Sequence, residues 1–112
     1  MSFSRNLTNG ARRQTFRKAK HGGKFKRDYK RVLGGKYRNI IIHPKGELWA
    51  IIYALENGIS LPERYHDHAL HNNWEGFREC HIRPDFLLIY AYVDDDVLWL
   101  ERLGTHSEIF GL

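Results

Sequence analysis

One cysteine, Cys80, occurs among the 112 residues, which excludes an intrachain disulfide and suits a reducing compartment. No apolar run approaches the ~20 residues that cross a bilayer, and no apolar segment of a secretory signal is present near the start. We therefore expect a protein with no membrane association, working in the cytoplasm. Internal repeats and low-complexity tracts are missing, as are the HExxH and CxxC spacings that usually announce zinc. Acid is scarcest in the first part of the chain. Residues 1–45 carry fourteen Lys/Arg against a single acid, Asp28, a net of +13, whereas residues 46–112 carry four arginines against twelve acids, a net of −8.

That asymmetry fits a polyanionic partner for the first half, most simply nucleic acid; a solvated basic face that aids solubility fits the same charges. The Arg-rich, acid-free first 27 residues also match a mitochondrial transit peptide in composition, but Asn6, Thr8, Asn9 and Gly10 interrupt any amphipathic helix there. The length suits one domain with one modest core. We expect a flexible basic arm over 1–14 and a single folded domain over 15–112.

Within that domain, "TFRKAKH", 15–21, alternates weakly like a strand. "KFKRDYKRVL" repeats Phe25, Tyr29, Val32 and Leu33 at helical spacing and is stopped by Gly34 and Gly35. "YRNIIIHPKG" reads equally as helix or buried extended chain. A second helix is expected over 46–57, with Leu48, Ile51, Ile52 and Leu55 on one face. "SLPERYHDHAL" reads as a connection broken by Pro62. A meander of strands follows: one from Trp74 to Ile82, a turn at "RPD", "FLLIYAYV" over 86–93, apolar on both faces like a central strand, and "VLWLERL" over 97–103. Thr105 and Glu108 have capping-box spacing and open a short helix, with His106 at its first position. The fold class is α+β: an antiparallel sheet with two N-terminal helices packed on it and a short C-terminal helix.

Four of the seven histidines, His66, His68, His71 and His81, fall between residues 64 and 86, interleaved with Asp67, Glu79 and Asp85. A metal could use His66 with His68, or His68 with His71, but these pairs lack the context of a metal motif, and a polar surface cluster is the alternative. Acid–base chemistry is the other possibility. Internal RNA cleavage needs one group to take the 2′-OH proton, another to protonate the leaving 5′-oxygen, and cations for the phosphate charge. Glu79 and His81 would share one strand face, Asp85 would sit at the turn, and Arg102 would end the last strand just before His106. A phosphate docked at His106 would meet the free N–H groups of a helix N-terminus; an exposed first helical residue without function is equally compatible.

The stretches "LPERYHDHAL", "W-x-G-F-R-E-C-H-I-R-P-D-F-L-L-I-Y" and "L-E-R-L-G-T-H-S-E-I-F-G", roughly residues 60–111, resemble the YafQ branch of the RelE-type bacterial toxins. The resemblance implies a RelE-like fold and a metal-independent endoribonuclease that cuts mRNA in the ribosomal A site, without cofactor. It further implies silencing by a cognate DinJ/RelB-like antitoxin, with operator DNA met only through the toxin–antitoxin complex. Matched motif by motif, the catalytic residues would be His68, His81, Asp85, His106 and Glu79. Arg102 and Arg83 would serve the phosphate and Phe110 would stack on a base. The sequence departs from the family at His66, which is left out of the catalytic set, at Asn72 and Asn73, in the long "GGKYRNIIIHPKG" connection and in the basic arm. A non-catalytic RNA- or ribosome-binding module built on the basic half is the rival reading.

Overall fold

A computed structural model describes residues 16–111; the basic arm expected over 1–14 lies outside the described residues. The chain opens with strand β1 (Lys18–His21) and helix α1 (Gly23–Leu33). Phe25, Asp28 and Val32 form the buried face of α1, while Lys24, Lys26, Arg27 and Lys30 line its outside. Lys30 and Arg31 occupy the last turn, where cations suit the helix dipole. The ambiguous "YRNIIIHPKG" resolves into a one-turn helix, α2 (Arg38–Ile41), so three helices rather than two precede the main strands. Helix α3 (Glu47–Glu56) buries Leu48, Ile51, Ile52 and Leu55, as its spacing predicted. Gly46 is required at its entry, because a Cβ there would run into the carbonyl of Ile40.

The segment read as a plain connection carries more structure than expected. A 3-10 turn (Glu63–Tyr65) leads into β2 (His68–Ala69), which pairs antiparallel with β3 (Arg78–Arg83). The strand expected from Trp74 starts four residues later, because Asn72–Trp74 forms a second 3-10 turn and the Phe77 amide closes back on the Trp74 carbonyl. Strands β4 (Phe86–Tyr92) and β5 (Val97–Gly104) and helix α4 (His106–Phe110) complete the fold.

The five strands run in the order β1-β5-β4-β3-β2. The sheet is antiparallel except at one edge, where β1 lies parallel to β5. The sequence expected antiparallel pairing throughout; the helical connection after β1 is long enough for a parallel neighbour, and direction leaves no local mark. Strand β4 is central. Its Phe86, Leu88 and Tyr90 join the main core with α1, α2 and α3. Its Leu87 and Ile89 pack on the other face against Ile109, Trp74, Phe77 and Phe110. Both faces are covered from Phe86 to Ala91, which is why this stretch is hydrophobic at every position; each large buried side chain contributes roughly 1.5–3 kcal/mol. No helix among the described residues is long and apolar enough to cross a membrane.

Candidate active site

Strand geometry assembles the histidines. Glu79 and His81 are two residues apart on β3 and so face the same side, and the β2–β3 register sets His68 directly opposite Glu79. The Glu79 side chain is buried, 5% exposed, and its Oε2 lies 2.8 Å from His81 Nε2 and 3.5 Å from His68 Nε2. His81 Nδ1 faces the Pro84 carbonyl at 3.4 Å. An irregularity in the β3–β4 pairing between His81 and Arg83 falls beside it, where bulges commonly re-aim side chains.

The His81 ring is the hub. Its centroid is 5.9 Å from His68, 5.8 Å from His66 and 5.7 Å from His106. His106 is fixed twice by one oxygen of Asp85: its ring Nδ1 lies 2.6 Å away and its backbone N–H donates at 2.9 Å. That backbone bond first, and the ring second, hold the Asp85 carboxyl below the ordinary aspartate range. Helix α4 begins with the capping box expected from Thr105 and Glu108. Two of the N–H groups expected to be free at this helix start are occupied. The His106 amide is taken by Asp85 and the Glu108 amide by the Thr105 hydroxyl.

Beside His81 lies an open cavity of about 740 Å³ lined by Arg64, Tyr65, His66, His68, Arg83 and Pro84, among others. Arg83 reaches it while bonded to Glu47 at 2.8 Å. Tyr65 also donates to Glu47, and Arg64 donates to the Tyr65 hydroxyl at 3.0 Å. Burial pushes the Glu47 carboxyl up, but Tyr65 and Arg83 together hold it below its usual range. Arg64, Tyr65 and Trp74 were not singled out by the sequence. Trp74 meets Phe110 edge-on at 5.2 Å, and Phe110 lies 6.3 Å from the His106 ring, so the two aromatics flank the histidines on the α4 side.

Two sequence-derived placements change, those of His66 and Arg102, while His71 keeps the surface position. His66, set aside earlier, contacts His81 and accepts from His68 Nδ1 through its carbonyl at 2.6 Å. His71 is exposed and makes no described contact with the group. Arg102, expected at the phosphate, instead places Nε 2.7 Å and Nη2 3.2 Å from the Asp28 carboxylate on α1. A cation could be held by His68, Glu79 and His81, whose ligand atoms lie within 4.8 Å of one another. Imidazole plus carboxylate suits zinc, copper or nickel, although three ligands fall short of a closed structural site. This trio is neither of the histidine pairs that spacing alone brought up, because it forms across strands.

This mixed sheet, with the Glu79–His81 pair on β3 and Asp85 at the β3–β4 turn paired with His106 at the start of α4, has the RelE-like fold that it shares with solved YafQ toxins. The chain belongs to the YafQ family: the model described as "Bacterial toxin of type II toxin-antitoxin system, YafQ" matches residues 17–111. The "mRNA interferase toxin YafQ" of Escherichia coli (strain B / BL21-DE3) is 44% identical over 57 residues, 51% of this chain and 61% of that protein. The chain thus matches somewhat under two thirds of this curated relative. The E. coli DinJ-YafQ toxin–antitoxin complex aligns with TM-score 0.69 at 34% identity, over 85% of this chain and 98% of the other. A copper-bound mutant toxin from Helicobacter pylori aligns with TM-score 0.70 at 38% identity, over 85% of this chain and 100% of the other.

Proposed function

We propose that this chain is a ribosome-dependent endoribonuclease, the toxin of a type II pair, which cuts translated mRNA in the ribosomal A site and is silenced by a DinJ/RelB-like antitoxin. One observation carries the reading: His81 and His106 each have their own carboxylate, and their rings stand 5.7 Å apart. Two positioned imidazoles are what the two proton transfers of RNA cleavage require. The hydrogen-bond network suggests how they divide the work. With Nδ1–H given to Asp85, His106 offers Nε2 as the base. His81 faces acceptors at both nitrogens, Glu79 at 2.8 Å and the Pro84 carbonyl at 3.4 Å, an arrangement satisfied by the doubly protonated ring; held by Glu79 at Nε2, it gives up the loosely held Nδ1 proton as the acid.

In this scheme His106 takes the 2′-OH proton, the 2′-oxygen bonds to phosphorus, the P–O5′ bond breaks, and His81 protonates the leaving oxygen. The products are a 2′,3′-cyclic phosphate and a 5′-hydroxyl. His68 steadies Glu79 from across the strand pair. Arg83 and Arg64 offer charge to the phosphate, and Phe110 with Trp74 offers a stacking wall to a base. Arg102 acts on the corner that carries His106. The basic outer face of α1 suits phosphate contacts with ribosomal RNA, which position without reading sequence, and suits an acidic antitoxin equally. DNA binding belongs to the antitoxin complex. A ribosome-directed nuclease places the protein in the cytoplasm.

A mutant toxin from H. pylori of similar structure is copper-bound, and in this chain His68, Glu79 and His81 are, among the described residues, the group that could hold an ion. An ion held there would supply Lewis-acid charge, but it would take the Glu79 and His81 atoms that keep the acid protonated. We therefore read metal as a competitor of the nuclease rather than its cofactor. Inducible expression of the wild type and of His106→Ala, with mRNA 5′ ends mapped across the transcriptome, tests the function. New cuts inside translated codons with the wild type alone are expected. Equal effects of the two proteins would favour the non-catalytic binding module instead.

A further inference from the structure

Asp28 is the only acid in the first 46 residues, and it is buried, 3% exposed, on the inner face of an otherwise basic helix. A carboxylate in that position is costly unless donors surround it. Four do: Arg102 Nε at 2.7 Å and Nη2 at 3.2 Å, Arg31 Nη1 at 2.7 Å and the Leu103 backbone N–H at 2.9 Å. Burial pushes its carboxyl up, but Arg102, Leu103 and Arg31 together hold it below the ordinary range.

The Leu103 contact shows what the cluster does. Strand β1 pairs with β5 only over residues 97–100, so beyond Leu100 that side of β5 has no neighbouring strand. Asp28 accepts from the Leu103 N–H there, and Arg31 Nη2 donates to the Leu103 carbonyl at 2.8 Å. Two side chains of α1 thus replace the missing strand. Arg31 then reaches past Gly104 to Glu108, with Nε 3.1 Å from Oε2 and Nη2 3.2 Å from Oε1. A Cβ at Gly104, whose φ is +157°, would stand 2.6 Å from Arg31 Nη2 and 2.7 Å from Glu108 Oε1, so a side chain there would push this ion pair aside. Glu108 Oε1 also accepts from the Thr105 amide. Asp28 and Arg31 on α1, Arg102 and Leu103 on β5 and Glu108 on α4 therefore clamp the corner from which His106 projects.

We propose that Asp28, with Arg31, is a positioning residue of the nuclease: it fixes the β5–α4 corner so that His106 stays against Asp85 and beside His81. The proposal rests on the role given above to His106. An error of about 1 Å in a reacting group can cost on the order of a hundredfold in rate, so a loosened corner shows in the chemical step before it shows in ribosome binding.

The test uses the full-length toxin on ribosomes programmed with mRNA. Asp28→Asn keeps the shape and removes the charge, and Ile51→Val, in the core away from the corner, serves as a control for lost stability. Three readouts are taken: the single-turnover cleavage rate per folded molecule, the toxin concentration giving half saturation, and amide hydrogen exchange. For Asp28→Asn the rate falls about tenfold or more, half saturation stays within about twofold, and the amides of 105–109 exchange faster relative to those of β4. Ile51→Val raises exchange without that local bias and keeps its rate. Should Asp28→Asn not fold, Arg31→Lys keeps the net charge, loses the fork across Leu103 and Glu108, and gives the same pattern in weaker form. A rate for the folded Asp28 or Arg31 variant equal to that of Ile51→Val, or no local change over 105–109, overturns the proposal. If His106→Ala cleaves at the wild-type rate, the nuclease role of His106 is wrong, and the exchange pattern still decides whether Asp28 positions that corner.

Discussion

Replacing Glu79 by glutamine isolates one charge. The side chain keeps its length and an acceptor oxygen, and it lies 5% exposed between His81 and His68. What disappears is the charge-assisted bond to His81 Nε2 at 2.8 Å. Hydrogen bonds to charged groups are worth about 1.5–3 kcal/mol. If that bond secures the proton of the acid, then at about 1.36 kcal/mol per decade cleavage slows roughly ten- to 150-fold. Stability moves less than the rate, because the lost bond and the relieved desolvation of a buried carboxylate offset each other, so the melting temperature stays nearly level. The assay is single-turnover cleavage on programmed ribosomes at saturating toxin, alongside thermal unfolding of the free protein. A slower rate with unchanged stability and unchanged ribosome affinity is expected. Cleavage within twofold of the wild type would refute the role of the Glu79–His81 pair, and a parallel fall in melting temperature would make the effect structural.

Other outcomes follow from the same geometry. Leu88→Ala, fully buried in β4, costs about 2–5 kcal/mol, a large part of the ~5–15 kcal/mol that stabilises a domain; urea unfolding shows it as a lower midpoint. Asp85 is held below its ordinary range by His106, so the unfolded chain takes up that proton at higher pH than the folded one. The stability it lends is complete above the ordinary aspartate range and fades as pH falls through the lower folded value. The difference in unfolding midpoint between wild type and Asp85→Asn should be flat near neutrality and shrink only in acid. Copper or zinc added in slight excess should slow cleavage, with a chelator selective for those metals restoring it while ribosomal magnesium remains. Stimulation by either metal, or loss of activity with that chelator alone, would reverse the assignment of metal as competitor.

Periodic features were legible in the sequence because they depend on neighbours along the chain. Helix α3 followed from Leu48, Ile51, Ile52 and Leu55, and the start of α4 from Thr105 and Glu108. The apolar run of β4 marked a strand covered on both sides, and a period of two put Glu79 and His81 on one face. The same reading put Asp85 at the turn and His106 at the start of α4, and the resemblance through "LPERYHDHAL" added His68 as their companion. The Trp74–Phe77 turn was missed because its aromatics imitate a strand, although Gly76, at φ +93°, was the available signal.

Composition, periodicity and motif by themselves determined the class of fold, most helix and strand positions, the basic character of the first half and the short set of chemically competent residues. Only the tertiary structure decided which of those residues meet. A two-residue strand brings His68 opposite Glu79, one oxygen of Asp85 holds both the ring and the amide of His106, and Arg102 turns to Asp28, 74 residues away in sequence. Parallel pairing of β1 and the α1 side chains that complete the edge of β5 belong to the same category. The physical reason is common to all of them. Local propensity is set by residues within a turn or two, whereas strand direction, register and the partner of a buried charge are set by whatever the rest of the chain packs beside them.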